Sequence, residues 1–273
     1  VVADDDSGLL GRASARTNVG QVRNNNEDNL GIWALNGVVI ALVADGMGGA
    51  AAGEEASRLT LEAVQANFLG TARGAEDLSM WSESELSKRL ADAIRDANRA
   101  ILDKASSNPL FKGMGTTSTL LLVRGNRAII AHVGDSRVYQ VYARGEIKQL
   151  TIDHSFVQAL VASGHITEDQ ARTHPMGNVL YRALGQSPDL DVDIFTAFLH
   201  SGDRIVMCSD GLTRHLFAED IVEIIQQDVN PHDASSHLID LANQRGGEDN
   251  ISVIVIKVVE GSSEETLPFR PVD

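Results

Sequence analysis

Val38-Val39-Ile40-Ala41-Leu42-Val43-Ala44-Asp45-Gly46-Met47-Gly48-Gly49 is an uninterrupted apolar run that delivers a carboxylate into a glycine-rich segment. An apolar run of this length without alternation fits a strand buried on both faces. Its far end has two readings. The chain either turns tightly on the Asp45-Gly46 pair, as Asp-Gly commonly does, or presents the Asp45 carboxylate to a cation. Acids at similar strand ends elsewhere in the chain would favour the second.

Working outward, Val1 to Leu10 is polar and unpatterned, a loose leader before a strand around Arg12 to Thr17. Arg23-Asn24-Asn25-Asn26-Glu27-Asp28 has the composition of a solvated loop. Beyond the opening strand, Ala56, Leu59, Ala63 and Ala66 keep a helical period within Gly53 to Leu69. A second amphipathic helix runs from Glu83 to about Ser106 on Leu86, Leu90, Ile94, Ala97 and Ile101, with Ser82 or Ser84 as its N-cap. Gly115 to Val123 and Arg127 to Val133 read as strands joined at Gly125-Asn126, and Arg137 to Tyr142 and Glu146 to Leu150 continue the meander.

From Asp153 to Gly185 the β pattern stops, and short helical pieces at Phe156 to Ala162 and Thr167 to Arg172 suggest an inserted flap at about 155–179. Strands resume at Leu190 to Phe198 and Arg204 to Cys208, helices follow at Ala218 to Gln227 and His232 to Asn243, and Ile251 to Ile256 is a last buried strand. Strict βα alternation is absent. The order predicts an α+β fold, with antiparallel sheets packed as a β-sandwich and flanked by pairs of helices in α-β-β-α layers. One domain is expected over 11–259, with a polar tail at 260–273.

Composition narrows the function. The formal charge is -15, with 23 Lys and Arg against 38 Asp and Glu, which argues against nucleic acid and leaves room for cations. No stretch approaches the roughly 18 apolar residues of a membrane span, so no membrane partner is expected. The single cysteine, Cys208, lies in an apolar run and fits a buried thiol in a reducing, cytoplasmic compartment.

Asp45, Asp135, Asp210 and Asp249 all lie within two residues of a strongly apolar strand and beside a glycine or asparagine. In an antiparallel sandwich several strand ends gather on one rim, where such carboxylates repel one another unless a cation holds them. An all-oxygen donor set, with no Cys-x-x-Cys and no paired histidines, favours Mn²⁺ or Mg²⁺ over zinc.

Eight blocks now align in one order: Arg23-x4-Asp28 with Glu27, Ala44 to Gly49, Gly115-Thr116-Thr117, Val133 to Arg137, Leu150 to Ser155, Arg182 to Gly185, Cys208 to Leu212, and Asp249-Asn250. Together they resemble the bacterial form of the metal-dependent Ser/Thr protein phosphatases, the PPM family or type 2C phosphatases. That resemblance implies hydrolysis of phosphoserine and phosphothreonine on proteins, opposing Ser/Thr kinases, by a water bridging two Mn²⁺ or Mg²⁺ ions. It implies that Asp45 bridges the ions, that Asp210 and Asp249 complete the first ion's shell, and that the Gly46 carbonyl binds the second. It further implies that Glu27 and Asp28 orient metal-bound waters, that Asp135 with Asp210 holds a third ion, and that Arg23 grips the substrate phosphate. Met47 stands where eukaryotic relatives carry a histidine, so the proton for the leaving group is expected from a water on the third ion.

Other residues have blander readings. His132, His154 and His215 are expected to be structural rather than general acids, and Thr116 and Thr117 to serve the strand edge or packing. Arg137 is expected to pair with a nearby acid, with phosphate contact as its second reading. The flap either tunes substrate access or passively covers the sheet rim. A phosphoprotein-binding module of the same fold without catalysis is the alternative function, and loss of Asp45, Asp210 or Asp249 would favour it; none is lost.

Overall fold

The computed structural model describes residues 9–35, 37–70 and 78–260. The run that opens the sequence reading is strand β3 (Val38–Met47), and its side chains divide strictly by parity. Val38, Ile40 and Leu42 pack against helices, whereas Val39, Ala41 and Val43 pack between two sheets. Both faces are dry, which is why the sequence shows no alternation. Each fully buried aliphatic side chain of this kind contributes about 1.5–3 kcal/mol relative to exposure.

One sheet has the order β2-β3-β5-β6-β9, from β2 (Asp28–Leu35), β5 (Ser118–Arg124), β6 (Arg127–Val133) and β9 (Asp193–Phe198), with the short β4 (Gly115–Thr116) pairing with the end of β3. The other has the order β1-β11-β10-β7-β8, from β1 (Leu9–Asn18), β7 (Arg137–Val141), β8 (Ile147–Gln149), β10 (Arg204–Cys208) and β11 (Ile251–Glu260). All described pairings are antiparallel.

Helices α1 (Ala50–Leu69) and α2 (Glu83–Ser107) cover the first sheet. On the second sheet, α6 (Ala218–Gln227) and α7 (Pro231–Gln244) meet Val206, Cys208, Val253 and Val255. Ile205, Met207, Ile254 and Ile256 point the other way, into the layer between the sheets. The α-β-β-α expectation is therefore met. Helix α2 starts where its sequence says it should: Ser82 accepts from the Glu85 N–H, and the Glu85 side chain returns to the Ser82 N–H, a full capping box.

Several boundaries move. Leu9 and Leu10, expected in the leader, belong to β1, and Glu260, expected in the tail, ends β11; 1–8 and 261–273 lie outside the described residues. Helix α1 begins three residues earlier than its periodicity suggests, at Ala50 rather than Gly53. The strand expected from Gly115 breaks at Thr117, and β9 begins at Asp193 rather than Leu190. The flap contains α3 (Phe156–Ala162) and α4 (Glu168–Arg172), and its return arm bridges Ser155 to Leu180.

The largest omission is β2. Its half-buried edge position gives it no clean alternation, and it starts at Asp28, inside the segment whose composition suggested a solvated loop.

Candidate active site

The register of the two sheets brings the ends of β3, β6 and β10 and the starts of β2 and β11 to one rim. Asp28 is the direct cross-strand neighbour of Asp45. Like charges facing each other across a ladder are destabilising, so this pair requires compensation. The chain does not turn at Asp45-Gly46 but continues as strand to Met47, which excludes the hairpin reading of the Asp-Gly pair.

The break at Thr117 clamps the Asp45 backbone. The Asp45 N–H donates to Thr117 Oγ1 at 3.0 Å, while the Thr117 N–H and Thr116 Oγ1 both donate to the Asp45 carbonyl at 2.8 Å. Thr117 Oγ1 also meets Ser136 Oγ at 2.9 Å. These threonines therefore fix the direction of the Asp45 side chain, a more specific task than the packing role their sequence suggested.

Gly46 and Gly53 are set by space. A Cβ on Gly46 would lie 2.2 Å from the Gly53 carbonyl and 2.6 Å from that of Glu27, and one on Gly53 would lie 1.9 Å from Glu27 Oε2. Helix α1 thus sits directly on the end of β3 and holds Glu27 beside it. Gly48 and Gly49 follow with φ of 113° and 94°, left-handed values that swing the chain from β3 into α1.

Glu27 and Asp28 are both buried, contrary to the loop reading. Asn250 explains this order: its Oδ1 accepts from the Glu27 N–H at 2.8 Å, and its Nδ2 donates to the carbonyls of Val19 and Asn25 at 2.9 Å each. Asp28 Oδ2 accepts from Ser209 Oγ at 2.9 Å, but Asp28 Oδ1 is buried without a partner. Burial, opposed by bonds from Ser252 and Ser209 and reinforced by Asp210 and Asp249, pushes the Asp28 carboxyl up to about 7. Burial followed by the charges of Asp28, Asp210, Asp135 and Asp249 raises Asp45 well above the ordinary carboxylate range. Asp135 is raised in the same way, by burial first and then by Asp210 and Asp153.

These residues surround a cleft of about 190 Å³, lined by Arg23, Glu27, Asp45, Gly46, Asp135, Asp210 and Asp249 together with Arg214 and the flap residues Asn178 and Leu180. Of the residues that the resemblance assigns to the site, all line this cleft except Asp28, which is buried beside Ser209. Asp210 opens a short helix, α5 (Asp210–Thr213). Arg214 follows at that helix's end, donating from Nε to Asp210 Oδ2 at 3.1 Å and lying with Nη1 3.3 Å from Asp249 Oδ2. Arg23 Nη2 donates to the same Asp249 oxygen at 2.9 Å.

Among the described residues no three acidic, histidine or cysteine side chains are already drawn together as a metal cage; the two guanidiniums hold Asp210 and Asp249 instead. The donor set nevertheless fits Mn²⁺ or Mg²⁺. It is all oxygen, and Asp28, opposite Asp45 in the ladder, faces it as a like charge with a buried carboxylate oxygen that has no partner. A multivalent cation offsets all of that repulsion, which two monovalent arginines do not.

The histidines are structural, as expected. His132 Nδ1 accepts from Thr119 Oγ1 at 2.9 Å, and its Nε2 donates to the Ile152 carbonyl at 3.2 Å. Burial, with His154 adjacent, lowers it to about 3, so it stays neutral. His154 Nδ1 accepts from the Gly134 N–H at 3.0 Å and its Nε2 faces Asp193, while His215 pairs with Glu248; none lines the cleft. Arg137 forms a forked pair with Asp153, its Nη2 2.7 Å from Oδ2, in keeping with a structural role.

Arg214, Thr117 and Asn250 are the site residues that sequence reading missed as such. Arg214 had a weak signal, because a residue four positions after Asp210 shares its helix face once α5 is known to form.

The family described as Protein phosphatase 2C matches residues 19–245 of the chain. Serine/threonine protein phosphatase PstP of Mycobacterium tuberculosis (strain H37Rv) is 38% identical over 262 residues, which cover 96% of this chain and 48% of that protein. The chain therefore spans about half the length of that relative. A serine/threonine phosphatase of S. agalactiae superposes with a TM-score of 0.83 at 37% identity, covering 92% of this chain and 100% of that one. The catalytic domain of PstP in complex with two manganese ions superposes with a TM-score of 0.78 at 37% identity, covering 92% of this chain and 99% of that one.

Proposed function

The chain belongs to the protein phosphatase 2C family, and from that premise we propose that it hydrolyses phosphoserine and phosphothreonine on proteins with two Mn²⁺ or Mg²⁺ ions held at the carboxylate rim. The observation that carries this reading is the concentration of charge. Asp45, Asp135, Asp210, Asp249 and Glu27 line one cleft with Asp28 beside Asp45, and Arg23 and Arg214 are the cations among the described residues that line it. A binding module has no need to sustain that repulsion, whereas a metal-dependent hydrolase does.

Asp45 would be shared between the two ions, Asp210 and Asp249 would hold one of them, and the Gly46 carbonyl would serve the other. Asp135 with Asp210 would hold a third. When bound, such ions acidify a coordinated water and offset charge on the phosphoryl oxygens during in-line displacement. The chain supplies the rest. Thr116 and Thr117 keep Asp45 aimed at the cleft, and Asn250 keeps Glu27 and Asp28 beneath it. Arg23, with its side chain 48% exposed at the cleft mouth, is free to leave Asp249 for the incoming phosphate and offers a planar fork to two of its oxygens.

Arg23→Ala is accordingly expected to raise KM about tenfold while lowering kcat much less, since the arginine binds phosphate in ground and transition states alike. Steady-state kinetics on a phosphothreonine peptide checks this; an unchanged KM removes Arg23 from the phosphate site.

A phosphorylated Ser/Thr kinase among the substrates, and a cytoplasmic setting, are parts of the same proposal. The buried free thiol of Cys208 supports the latter, as does the finding that no helix among the described residues is long and apolar enough to cross a membrane. The direct test is hydrolysis of p-nitrophenyl phosphate and of a phosphothreonine peptide with Mn²⁺, with and without chelator. Turnover that requires the metal is expected. Absence of metal-dependent turnover across pH and metal concentration would sink the enzyme reading and leave the binding module.

A further inference from the structure

Arg214, at the cleft, pairs with two of the acids assigned to metal. Its Nε and Nη2 both donate to Asp210 Oδ2, and its Nη1 reaches Asp249 at 3.3 Å. Its side chain is 29% exposed, less than that of Arg23 at 48%, and its backbone is anchored by an N–H bond to the Asp210 carbonyl at 2.9 Å. Its field also reaches Asp135, where it opposes the burial and repulsion that favour the neutral acid. A cation held at Asp210 and this guanidinium would therefore draw on the same carboxylate.

We propose that Arg214 is a built-in counter-cation that competes with bound metal for Asp210 and Asp249, and so sets how many ions the cleft holds and how tightly. The inference rests on the two-ion reading of the site. Two positive charges cannot share Asp210 Oδ2 without loss, so metal entry on that side displaces the guanidinium. The energy of its ion pairs is then subtracted from the binding of that ion. The metal-free protein gains in return, because Arg214 keeps Asp210 and Asp249 from facing each other uncompensated.

Calorimetric titration of the chelator-stripped protein with Mn²⁺ tests this without reference to turnover. Arg214→Asn is expected to bind its weakest Mn²⁺ at least about tenfold tighter than the unaltered protein, or to take up one more ion, and to melt at a lower temperature when metal-free. Arg214→Lys keeps a charge but not the fork, and should fall between the two. A residue that merely supports the fold would weaken metal binding when changed. Equal stoichiometry and affinity in the unaltered protein and both variants, or weaker binding in Arg214→Asn, overturns the inference while leaving the phosphatase reading intact. Failure of the unaltered protein to bind any Mn²⁺ overturns that reading, and this inference with it.

Discussion

Asp210→Asn is expected to lower kcat on a phosphothreonine peptide by about 100-fold or more, with far-ultraviolet circular dichroism unchanged. Substitutions of residues that only orient metal ligands typically cost 10–100-fold, and Asp210 is assigned as a ligand itself. The asparagine keeps one oxygen donor and the side-chain shape but removes the negative charge. It also releases Arg214, whose Nε now donates to Asp210 Oδ2 at 3.1 Å. A suitable control is Glu146→Gln, a change at an exposed surface pair with Arg144 that should leave kcat within about twofold. Near-normal turnover by Asp210→Asn would remove this residue from the metal site, whatever its position in the cleft.

The second large effect concerns stability. The metal-free protein carries Asp28 directly opposite Asp45, and both carboxyls are raised by burial and by their neighbours. Ions that bind the folded chain and not the unfolded one contribute about 2.7 kcal/mol each at 100 times Kd, so two of them contribute roughly 5 kcal/mol. For a domain of this size each kcal/mol moves Tm by about 2–4 °C. Saturating Mn²⁺ should therefore raise Tm by about 10–20 °C, and chelator should reverse the shift. Asp45→Asn should lose most of that increment, because it removes the charge shared between the ions. A shift below about 2 °C at saturating metal would contradict the two-ion site.

Much of this arrangement could be read from the sequence because its physics is local. The dry, unalternating run of β3, a serine N-cap at the start of α2, and the acids at the ends of apolar strands all follow from short stretches. What escaped depends on residues far apart in the chain. Strand β2 was missed because an edge strand covered unevenly by its neighbours has no period to detect. Glu27 and Asp28 looked solvated because nothing near them shows that Asn250, more than 220 residues later, ties their segment down.

Gly46 illustrates a partial success. The resemblance singles out its carbonyl, and the structure adds a steric reason for the glycine, since α1 passes so close that no Cβ fits. Arg214 shows the opposite case. Without the short helix α5 a residue four positions beyond Asp210 has no assigned direction, so its contact with two acids was invisible.

The central claim is that acids delivered by separate strand ends hold a pair of cations, with Asp45 between them. Crystals soaked in Mn²⁺ and measured at the manganese absorption edge test it most directly. The account predicts two anomalous peaks that share the Asp45 carboxylate, one also contacting Asp210 and Asp249 and the other the Gly46 carbonyl. Density in which Asp45 touches no ion, or a single peak elsewhere on the rim, would contradict it.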